Sequence, residues 1–489
     1  MKEAFIIYFE RIVNVFTGFL LSYLVINYFS QNDYGIYKYV MSLGSLFIVF
    51  AMLGFNLANI RFIPEYILHK EYKKINYQIF YFAVIQIAFI IVSLITVYIL
   101  YINKILQIDN QIDIRYLYVI FIGYYIKSYF AESLLVAFSK RIILTYLRII
   151  LYFIQVIIIY YAIYNNVNIK DFIYYVMLFS IIEAFVLTLG IISVYKKLIP
   201  SFTFNKFNLN KQYNYSFNNY GFIIVNFLRD NAATIVVVSY LFNYTEVAYY
   251  SVALIIPNIV RGFSPSKVFS GLIMPEFVKK YKQNGEEQEI FDGLNFMGKI
   301  NIIFLIPAVI YSIFMYQFVI STFFSMDYAI NSFHLSIFLF LNIVLMSYLD
   351  LNLLASNILE KSDLVFKLNL FSISNIVLLL ILSELGRISI GIANLLSTFF
   401  TVFAFWIVLQ KYFQNRINFY FLNKEIIIYF IVLLAFSFGL YLFNIYVYMI
   451  VFLIVSMIAI LYIIKSNFIN TQERKFLQSK LPQKIKGWI

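Results

Sequence analysis

The sequence predicts an all-α polytopic membrane protein with about fourteen transmembrane helices, arranged as two parallel six-helix lobes around a central cavity plus two C-terminal helices. Three observations support this fold class. Hydrophobic residues make up 63% of the 489 residues and charged residues only 12%, about half the charge of a typical soluble domain. Apolar runs of roughly 20 residues recur between short polar turns, and the basic residues concentrate in alternate turns.

Each apolar run is long enough to cross a membrane as one helix, because about 20 residues span the hydrocarbon core. The first run follows Lys2 and contains Glu10 and Arg11, so we expect a membrane helix and not a cleavable signal peptide. The expected helices are 5–28, 37–59, 79–102, 116–138, 149–164, 172–195, 221–242, 248–272, 300–322, 332–356, 368–385, 390–410, 426–444 and 446–464.

The distribution of basic residues predicts the orientation of these helices. If the N terminus is cytoplasmic, nearly all loop lysines and arginines lie on the cytoplasmic side. The opposite side then holds only Lys38, Lys104, Arg115, Lys170 and Arg387. Because basic loops are retained in the cytoplasm, the pattern predicts that both termini are cytoplasmic and that the number of helices is even.

The longest polar interruption between helices predicts a domain boundary. It runs from Lys196 to Tyr220, contains Pro200, and follows the sixth expected helix. A segment of this kind is typical of a linker between two lobes. The expected organisation is an N-terminal lobe at 1–195, a cytoplasmic linker at 196–220, a C-terminal lobe at 221–410, helices 13 and 14 at 411–464, and a basic cytoplasmic tail at 465–489.

A weak internal repeat relates the two expected lobes. Asp33-Tyr-Gly-Ile-Tyr in the first half corresponds to Glu246-Val-Ala-Tyr-Tyr in the second, at an offset of 213 residues. Pro64-Glu65 corresponds to Pro275-Glu276 at an offset of 211. Repeats of this kind build the lobes of many transporters. The alternative is a chance coincidence of two Pro-Glu helix ends in a chain rich in Ile, Phe and Tyr.

The composition argues against several chemistries. The chain contains no cysteine and only two histidines, His69 and His334, which excludes thiol catalysis and disulfides and makes a metal site unexpected. No Gly-Lys-Ser/Thr loop for nucleotide phosphates is present, and we expect no cofactor. The excess of 37 Lys and Arg over 24 Asp and Glu lies in short loops, so it indicates membrane orientation and not nucleic-acid binding.

Ionisable residues inside the expected helices are the candidate functional residues, because a charge at bilayer depth is costly unless it faces a cavity or a partner. Helix 7 is the most informative, with a polar stripe at helical spacing. The candidates for substrate binding are Arg229, Arg261, Lys127, Arg11 and Asn226, and the candidates for coupling or ion pairing are Asp230, Glu132, Asp350 and Glu10. Static ion pairs between helices are the alternative for each of them.

Several short segments carry a resemblance to a known family. These segments are Asn32-Asp-Tyr-Gly-Ile-Tyr, Arg61-Phe-Ile-Pro-Glu, Asp230, Glu246-Val-Ala-Tyr-Tyr and Met274-Pro-Glu. With them the chain resembles the bacterial polysaccharide flippases, the O-antigen and capsule exporters of the multidrug/oligosaccharidyl-lipid/polysaccharide superfamily. The resemblance extends over nearly the whole chain through its length, helix number and loop charges. Ala248 stands where the family pattern has a glycine, a difference that concerns helix packing.

The resemblance implies a transporter, not an enzyme, with many spans in the bacterial cytoplasmic (inner) membrane. Its implied substrate is an oligosaccharide repeat unit on undecaprenyl pyrophosphate, flipped by alternating access to the outer leaflet for O-antigen, lipopolysaccharide, capsule or exopolysaccharide assembly. Basic residues in a cavity would attract the pyrophosphate, and a proton or sodium ion is a possible coupling ion at the acidic candidates. Outward movement of negative charge is favoured by about 2.3 kcal/mol per charge per 100 mV.

Three alternatives remain open at this point. Within the same superfamily they are a peptidoglycan-lipid flippase and a multidrug exporter. From another class, the alternative is a membrane polysaccharide polymerase or a lipid-linked glycosyltransferase. The short outer loops argue against such an enzyme, since the largest, from Asn103 to Arg115, contains Asp109 and Asp113 but has little room for a site.

Overall fold

The computed structural model describes residues 2–104, 113–199, 203, 207–229, 231–267, 287–358, 362–412, 423–443, 445–466, 468–469 and 473. These residues form helices joined by short turns, and no β-strand occurs among them. Several helices are long and apolar enough to cross a membrane. The predicted fold class, an all-α polytopic membrane protein, is confirmed.

The helices follow one another with few residues between them. In the first half they are α1 (Lys2–Tyr28), α2 (Gln31–Met52), α3 (Phe55–Leu68), α4 (Tyr72–Ile102), α5 (Ile114–Tyr125), a π-helical segment (Ile126–Ser133), α6 (Leu134–Ala137), α7 (Arg141–Tyr164), α8 (Ile169–Leu198), α9 (Asn210–Arg229), α10 (Asn231–Leu241) and α11 (Tyr244–Ala253). In the second half they are α12 (Ile255–Gly262), α13 (Glu287–Phe323), α14 (Met326–Ile358), α15 (Ser362–Asn369), a 3₁₀ turn (Leu370–Ile373), α16 (Ser374–Ile381), a second 3₁₀ turn (Ser383–Leu385), α17 (Ile388–Tyr412), α18 (Lys424–Phe443) and α19 (Ile445–Lys465).

The predicted count of fourteen spans is not confirmed. Within the described residues, nine helices are long and apolar enough to cross a membrane, and α9 with α10 would form a tenth span bent by 51°. The difference arises where an expected span is broken into shorter helices. The expected span 116–138 is divided among α5, the π-helical segment and α6. The expected span 248–272 is divided between α11 and α12, with its last residues outside the described chain.

The break between α2 and α3 is built from two residues with positive φ, Leu53 at 49° and Gly54 at 74°. A broken helix leaves backbone carbonyls without their helical partners, which is costly at bilayer depth. Gln86 on α4 donates from Nε2 to the Met52 carbonyl at 3.0 Å, and its Oε1 accepts from the Tyr125 hydroxyl at 2.6 Å. The Gln86 side chain therefore replaces the missing backbone partner, and Tyr125 on a second helix holds Gln86 in place.

The internal repeat has a structural counterpart at the starts of α2 and α11. Ser30 Oγ accepts from the Asp33 backbone nitrogen at 3.2 Å, and Asn243 Oδ1 accepts from the Glu246 backbone nitrogen at 2.9 Å. Asn243 lies 213 residues after Ser30, and Glu246 lies 213 residues after Asp33, which is the offset found in the sequence. The two copies thus begin with equivalent N-caps, in which a side-chain oxygen satisfies an otherwise unpaired backbone N–H.

The two copies of the repeat also pack against each other. The Tyr249 hydroxyl donates to Gln31 Oε1 at 2.8 Å, and the rings of Tyr39 and Tyr244 lie 5.5 Å apart between centroids. Gly35 lies against the backbone of Tyr244, where a Cβ would overlap the carbonyl oxygen. Glycine at this position permits the close approach of the two helices.

The described helices form two compact units, Met1–Ser251 and Val252–Ile489. In the first unit, α9 and α10 pack against α2, and α9 also packs against α3. In the second unit, α18 and α19 pack against each other and against α13, with Ile302, Tyr429 and Phe452 in their common apolar core. The lobe boundaries expected at 195 and 221 remain a prediction.

The chain beyond α19 folds back onto the second unit. Phe468 and Ile469 are buried in the core of that unit. Lys299 Nζ on α13 donates to both carboxylate oxygens of Glu473, at 3.1 and 2.9 Å, and both side chains are largely buried. The beginning of the expected cytoplasmic tail is therefore attached to the unit, while residues 474–489 lie outside the described chain.

Substitution of Gly35 by alanine is expected to destabilise the protein. The new methyl group would meet a backbone carbonyl that cannot rotate away, and overpacking of this kind typically costs about 1–3 kcal/mol. Thermal unfolding of the detergent-purified variant should therefore show a lower Tm than the parent protein.

Gly18 provides the matched control, because it also lies in a helix of the first unit but a Cβ there would meet no atom within 4 Å. Gly18→Ala should leave Tm unchanged or raise it slightly, since alanine favours the helix. Equal Tm values for the two variants would contradict the close contact at Gly35.

Candidate functional site

A charged cavity of about 310 Å³ lies within the unit Met1–Ser251. It is bounded by α1, the π-helical segment, α7 and α8. Three carboxylates and four basic groups face it together with smaller polar and apolar side chains: Glu10, Arg11, Asn14, Lys127, Glu132, Arg141, Leu144, Thr145, Arg148, Tyr152 and Glu183. Since liquid water takes about 30 Å³ per molecule, the cavity has room for several waters or a small polar ligand.

The π-helical segment Ile126–Ser133 brings two of the predicted residues to this cavity. In an α-helix, Lys127 and Glu132 would point about 140° apart, because each residue advances by roughly 100°. A π-helix pairs residues five apart, so the two side chains lie nearly one turn from each other and both line the cavity. Short π-helical segments within α-helices frequently occur at functional sites.

One face of α7 supplies a polar wall. Arg141, Leu144, Thr145, Arg148 and Tyr152 all line the cavity, at spacings of three, four and seven residues that place them on one side of a helix. The sequence predicts the start of this helix at 149, whereas α7 begins at Arg141. Its first two turns, expected in a cytoplasmic loop, therefore belong to the cavity.

Salt bridges connect the walls of the cavity. Lys127 Nζ lies 2.8 Å from Glu183 Oε1. Arg148 contacts two carboxylates, with Nη2 at 2.7 Å from Glu132 and Nη1 at 3.8 Å from Glu10. The Tyr152 hydroxyl donates to Glu10 Oε1 at 2.9 Å. Each carboxylate thus has a cation or a hydrogen-bond donor beside it, as burial of charge requires.

Burial differs between the partners in these salt bridges. The side chains of Glu183 and Glu10 are only 6% and 9% exposed, whereas Lys127 and Arg148 are 30% and 32% exposed. These two acids therefore belong to the inner wall, and their basic partners face the open space. An anion that enters the cavity would meet the cations first, and electrostatic attraction is strong where little water screens it.

The structure brings four of the nine predicted residues to this cavity, namely Glu10, Arg11, Lys127 and Glu132. In the second unit Arg261 Nη2 and Asp350 Oδ1 lie 3.4 Å apart. Arg229 ends α9 and is not among the described lining residues of the cavity. The side chain of Asn226 and the whole of Asp230 lie outside the described residues. Functional roles for all nine residues remain predictions.

Sequence reasoning did not select Arg141, Arg148, Tyr152 or Glu183 as site residues. Arg141 and Arg148 fell outside the expected span, because the apolar run begins after them. Their spacing with Thr145 and Tyr152 is the signal that could have extended the helix toward the N terminus. Glu183 lies inside the expected helix 172–195, but one sequence does not identify its partner as Lys127.

No group of three metal-binding side chains occurs among the residues that the structure describes. The ionic contacts of the cavity instead join acidic groups to Lys and Arg, which offer no lone pair to a metal. These side chains offer charges and hydrogen-bonding groups to a charged ligand.

Comparison with solved structures assigns the fold. Similar structures include "Lipid II flippase MurJ, inward closed conformation" (TM-score 0.67, 16% identity, 93% of this chain and 98% of that chain). They also include an inward-facing multidrug resistance MATE family transporter of the MOP superfamily (TM-score 0.62, 11% identity, 82% of this chain and 95% of that chain). A third is a mutant of the Vibrio cholerae MATE transporter VcmN (TM-score 0.56, 12% identity, 84% of this chain and 97% of that chain). No family model and no curated protein matches the chain.

At these identities the likeness shows the fold alone. It spans nearly the full length of each of the three transporters, and it therefore extends over both compact units. The chain has the fold that these membrane transporters share.

A double-mutant cycle on Lys127 and Glu183 should show strong coupling. Lys127→Met leaves the buried Glu183 carboxylate without its cation, so the free energy of unfolding should fall by about 1–3 kcal/mol. Adding Glu183→Gln should recover part of that loss. Denaturant titration of the purified variants would give a coupling energy of about 1 kcal/mol or more.

The matched control is the exposed pair Arg61 and Glu65, whose charged atoms lie 3.7 Å apart on α3. Exposed pairs one helical turn apart contribute roughly 0.5 kcal/mol or less. The same two kinds of substitution there should give a coupling below that of the cavity pair. Similar coupling energies for both pairs would show that the cavity does not shield its charges from solvent.

Proposed function

We propose that this protein is a flippase that moves oligosaccharide repeat units, linked to undecaprenyl pyrophosphate, from the cytoplasmic to the outer leaflet for O-antigen, capsule or exopolysaccharide assembly. It works by alternating access in the bacterial cytoplasmic membrane, with both termini in the cytoplasm. The observation that carries the proposal is a cavity with four basic side chains, inside a fold that is also found in a lipid II flippase.

The head group of such a substrate matches the chemistry of the basic residues. A pyrophosphate loses hydration when it enters a membrane protein, so it needs cationic hydrogen-bond donors in place of water. Lys127 and Arg11 line the cavity in the first unit. With Arg229 and Asn226 of the same unit they are the proposed contacts of the head group, while the lipid tail stays in the bilayer. Arg261, in the second unit, is a further proposed substrate-binding residue.

The acidic candidates would keep these cations oriented in the absence of substrate. Glu132 holds Arg148 at 2.7 Å, and Asp350 lies 3.4 Å from Arg261. A carboxylate released when the phosphate takes its cation is a site at which a proton or sodium ion could bind. Glu10, Glu132, Asp350 and Asp230 are therefore the proposed coupling residues.

The direction of transport agrees with the membrane potential. Moving negative charge out of a negative interior releases about 2.3 kcal/mol per charge for each 100 mV. At 100 mV, outward movement of a doubly charged pyrophosphate would thus release about 5 kcal/mol. This energy corresponds to an outer-to-inner concentration ratio above about a thousandfold. Potential alone can drive export of an anionic head group.

Two related functions have specific support. The structural likeness to a lipid II flippase, at a TM-score of 0.67, favours a peptidoglycan lipid as the alternative substrate. The likeness to two MATE transporters, at 0.62 and 0.56, favours a multidrug exporter. Both kinds of transporter differ from the proposed one in the cargo and not in the fold.

Deletion of the gene in the source bacterium tests the proposed cargo. We expect loss of surface polysaccharide and accumulation of single repeat units on the carrier lipid, both reversed by the restored gene. Carrier lipids would be extracted and analysed by mass spectrometry, and surface polymer would be measured on the same cultures.

Other outcomes distinguish the alternatives. Accumulation of peptidoglycan precursor would indicate a peptidoglycan-lipid flippase, and a changed drug sensitivity with normal polysaccharide would indicate a multidrug exporter. Repeat units that are exported but remain unpolymerised would indicate a polymerase. Each of these results would contradict the proposed function.

Reporter fusions test the proposed orientation. A fluorescent protein that folds only in the cytoplasm should be active when fused after residue 489, and a periplasmic phosphatase at the same position should be inactive. The loop around Lys104 should give the opposite result, because it is assigned to the outer side. Phosphatase activity at the C terminus would overturn the predicted topology.

A further inference from the structure

Among the described residues that line the cavity in the first unit, basic side chains outnumber carboxylates by four to three. Its cations are Arg11, Lys127, Arg141 and Arg148, and its anions are Glu10, Glu132 and Glu183. Lys127 and Arg148 already pair with the three carboxylates, so Arg141 adds a positive charge that these pairs do not need. An anionic ligand would match that charge.

Arg141 is the cation whose charge is available to such a ligand. It lies at the first turn of α7, is exposed, and still lines the cavity. No ion pair of Arg141 is found among the described residues. Lys127 and Arg148, in contrast, already contact carboxylates.

Arg148 lies two helical turns deeper on the same face of α7, about 10 Å along the helix axis. Its guanidinium lies near two carboxylates, with Nη2 2.7 Å from Glu132 Oε1 and Nη1 3.8 Å from Glu10 Oε1. Only the contact with Glu132 is within hydrogen-bond distance. Glu10 has a second partner in the Tyr152 hydroxyl at 2.9 Å. Arg148 can therefore give up Glu132 for another anion, because the Glu132 side chain is 27% exposed and open to water. Glu10 meanwhile keeps its hydrogen bond from Tyr152.

We infer that the arginine face of α7 is a phosphate-binding site, in which Arg141 first receives a phosphate group from solvent and Arg148 then binds it in place of Glu132. Guanidinium groups suit this role, because their planar donors bind two phosphate oxygens at once. The inference rests on the proposed function only in naming a carrier lipid as the source of the phosphate. The site itself is defined by the cavity and its charges.

The first test measures binding without transport. Isothermal titration calorimetry with inorganic pyrophosphate would use the full-length protein in lipid nanodiscs at low ionic strength. The parent protein should bind pyrophosphate, and Arg141→Ala should weaken binding at least tenfold, since a charge-assisted hydrogen bond of this kind typically contributes more than a factor of ten. Arg148→Lys retains the positive charge but loses the bidentate contact of the guanidinium group with phosphate, so this variant should also bind pyrophosphate more weakly.

Removal of a competitor gives the sharpest result. Glu132→Gln frees Arg148 from the carboxylate that holds it, so pyrophosphate should bind several-fold more tightly to this variant than to the parent protein. A structural role for the Glu132–Arg148 pair alone would predict no gain in affinity. Arg115→Ala is the matched control, because Arg115 is 83% exposed, pairs with Asp113 and does not line the cavity, and its loss should leave the affinity unchanged.

Three results would overturn the inference: no pyrophosphate binding by the parent protein, equal binding by the Arg141 and Arg115 variants, or no gain in affinity with Glu132→Gln. A second titration with farnesyl pyrophosphate in the nanodiscs identifies the source of the phosphate. Stronger binding of the lipid-linked form supports a membrane lipid, and equal binding of both forms supports a soluble phosphate compound. If the protein binds pyrophosphate but does not move lipid-linked sugar, the proposed function is contradicted and the phosphate-binding site is still supported.

Discussion

The charged cavity depends on the pairing of buried charges, and the salt bridge between Arg148 and Glu132 is one of the contacts that provide it. This salt bridge joins α7 to the π-helical segment at 2.7 Å, and through Glu10 the same guanidinium also approaches α1. Ionisable groups at bilayer depth are stable only with partners or water. The need to satisfy buried charges therefore explains why polar residues of α1, the π-helical segment, α7 and α8 converge in a unit that is otherwise dominated by apolar packing.

The same requirement governs the uncharged polar groups. The Met52 carbonyl at the break accepts from Gln86, which Tyr125 holds in place. Gln78 on α4 donates to Asn59 on α3 at 2.9 Å, and both side chains are buried. Broken helices and π-helical segments are stable in a membrane only where neighbouring side chains satisfy the backbone. Such places also allow a helix to bend at low cost, a property that alternating access requires.

The amino-acid sequence was sufficient to predict the fold class, the offset of the internal repeat and four of the residues around the cavity. These features depend on hydrophobicity and local spacing, which one sequence contains. The start of α7 was missed because Arg141 and Arg148 interrupt the apolar run, and the π-helical geometry of Lys127 and Glu132 has no simple sequence pattern. The pairing of Lys127 with Glu183 depends on how distant helices pack, and periodicity does not report that.

The most direct measurement of the central claim is lipid flipping by the purified protein in liposomes. The liposomes would contain a short oligosaccharide linked to a polyprenyl pyrophosphate or, in parallel, to the uncharged polyprenol, and an added glycosidase would report how much sugar reaches the outer leaflet. The account predicts movement of the pyrophosphate-linked sugar, accelerated by an inside-negative potential, and little movement of the uncharged lipid. Equal movement of both lipids, or none of either, would contradict recognition of the head group through its phosphates.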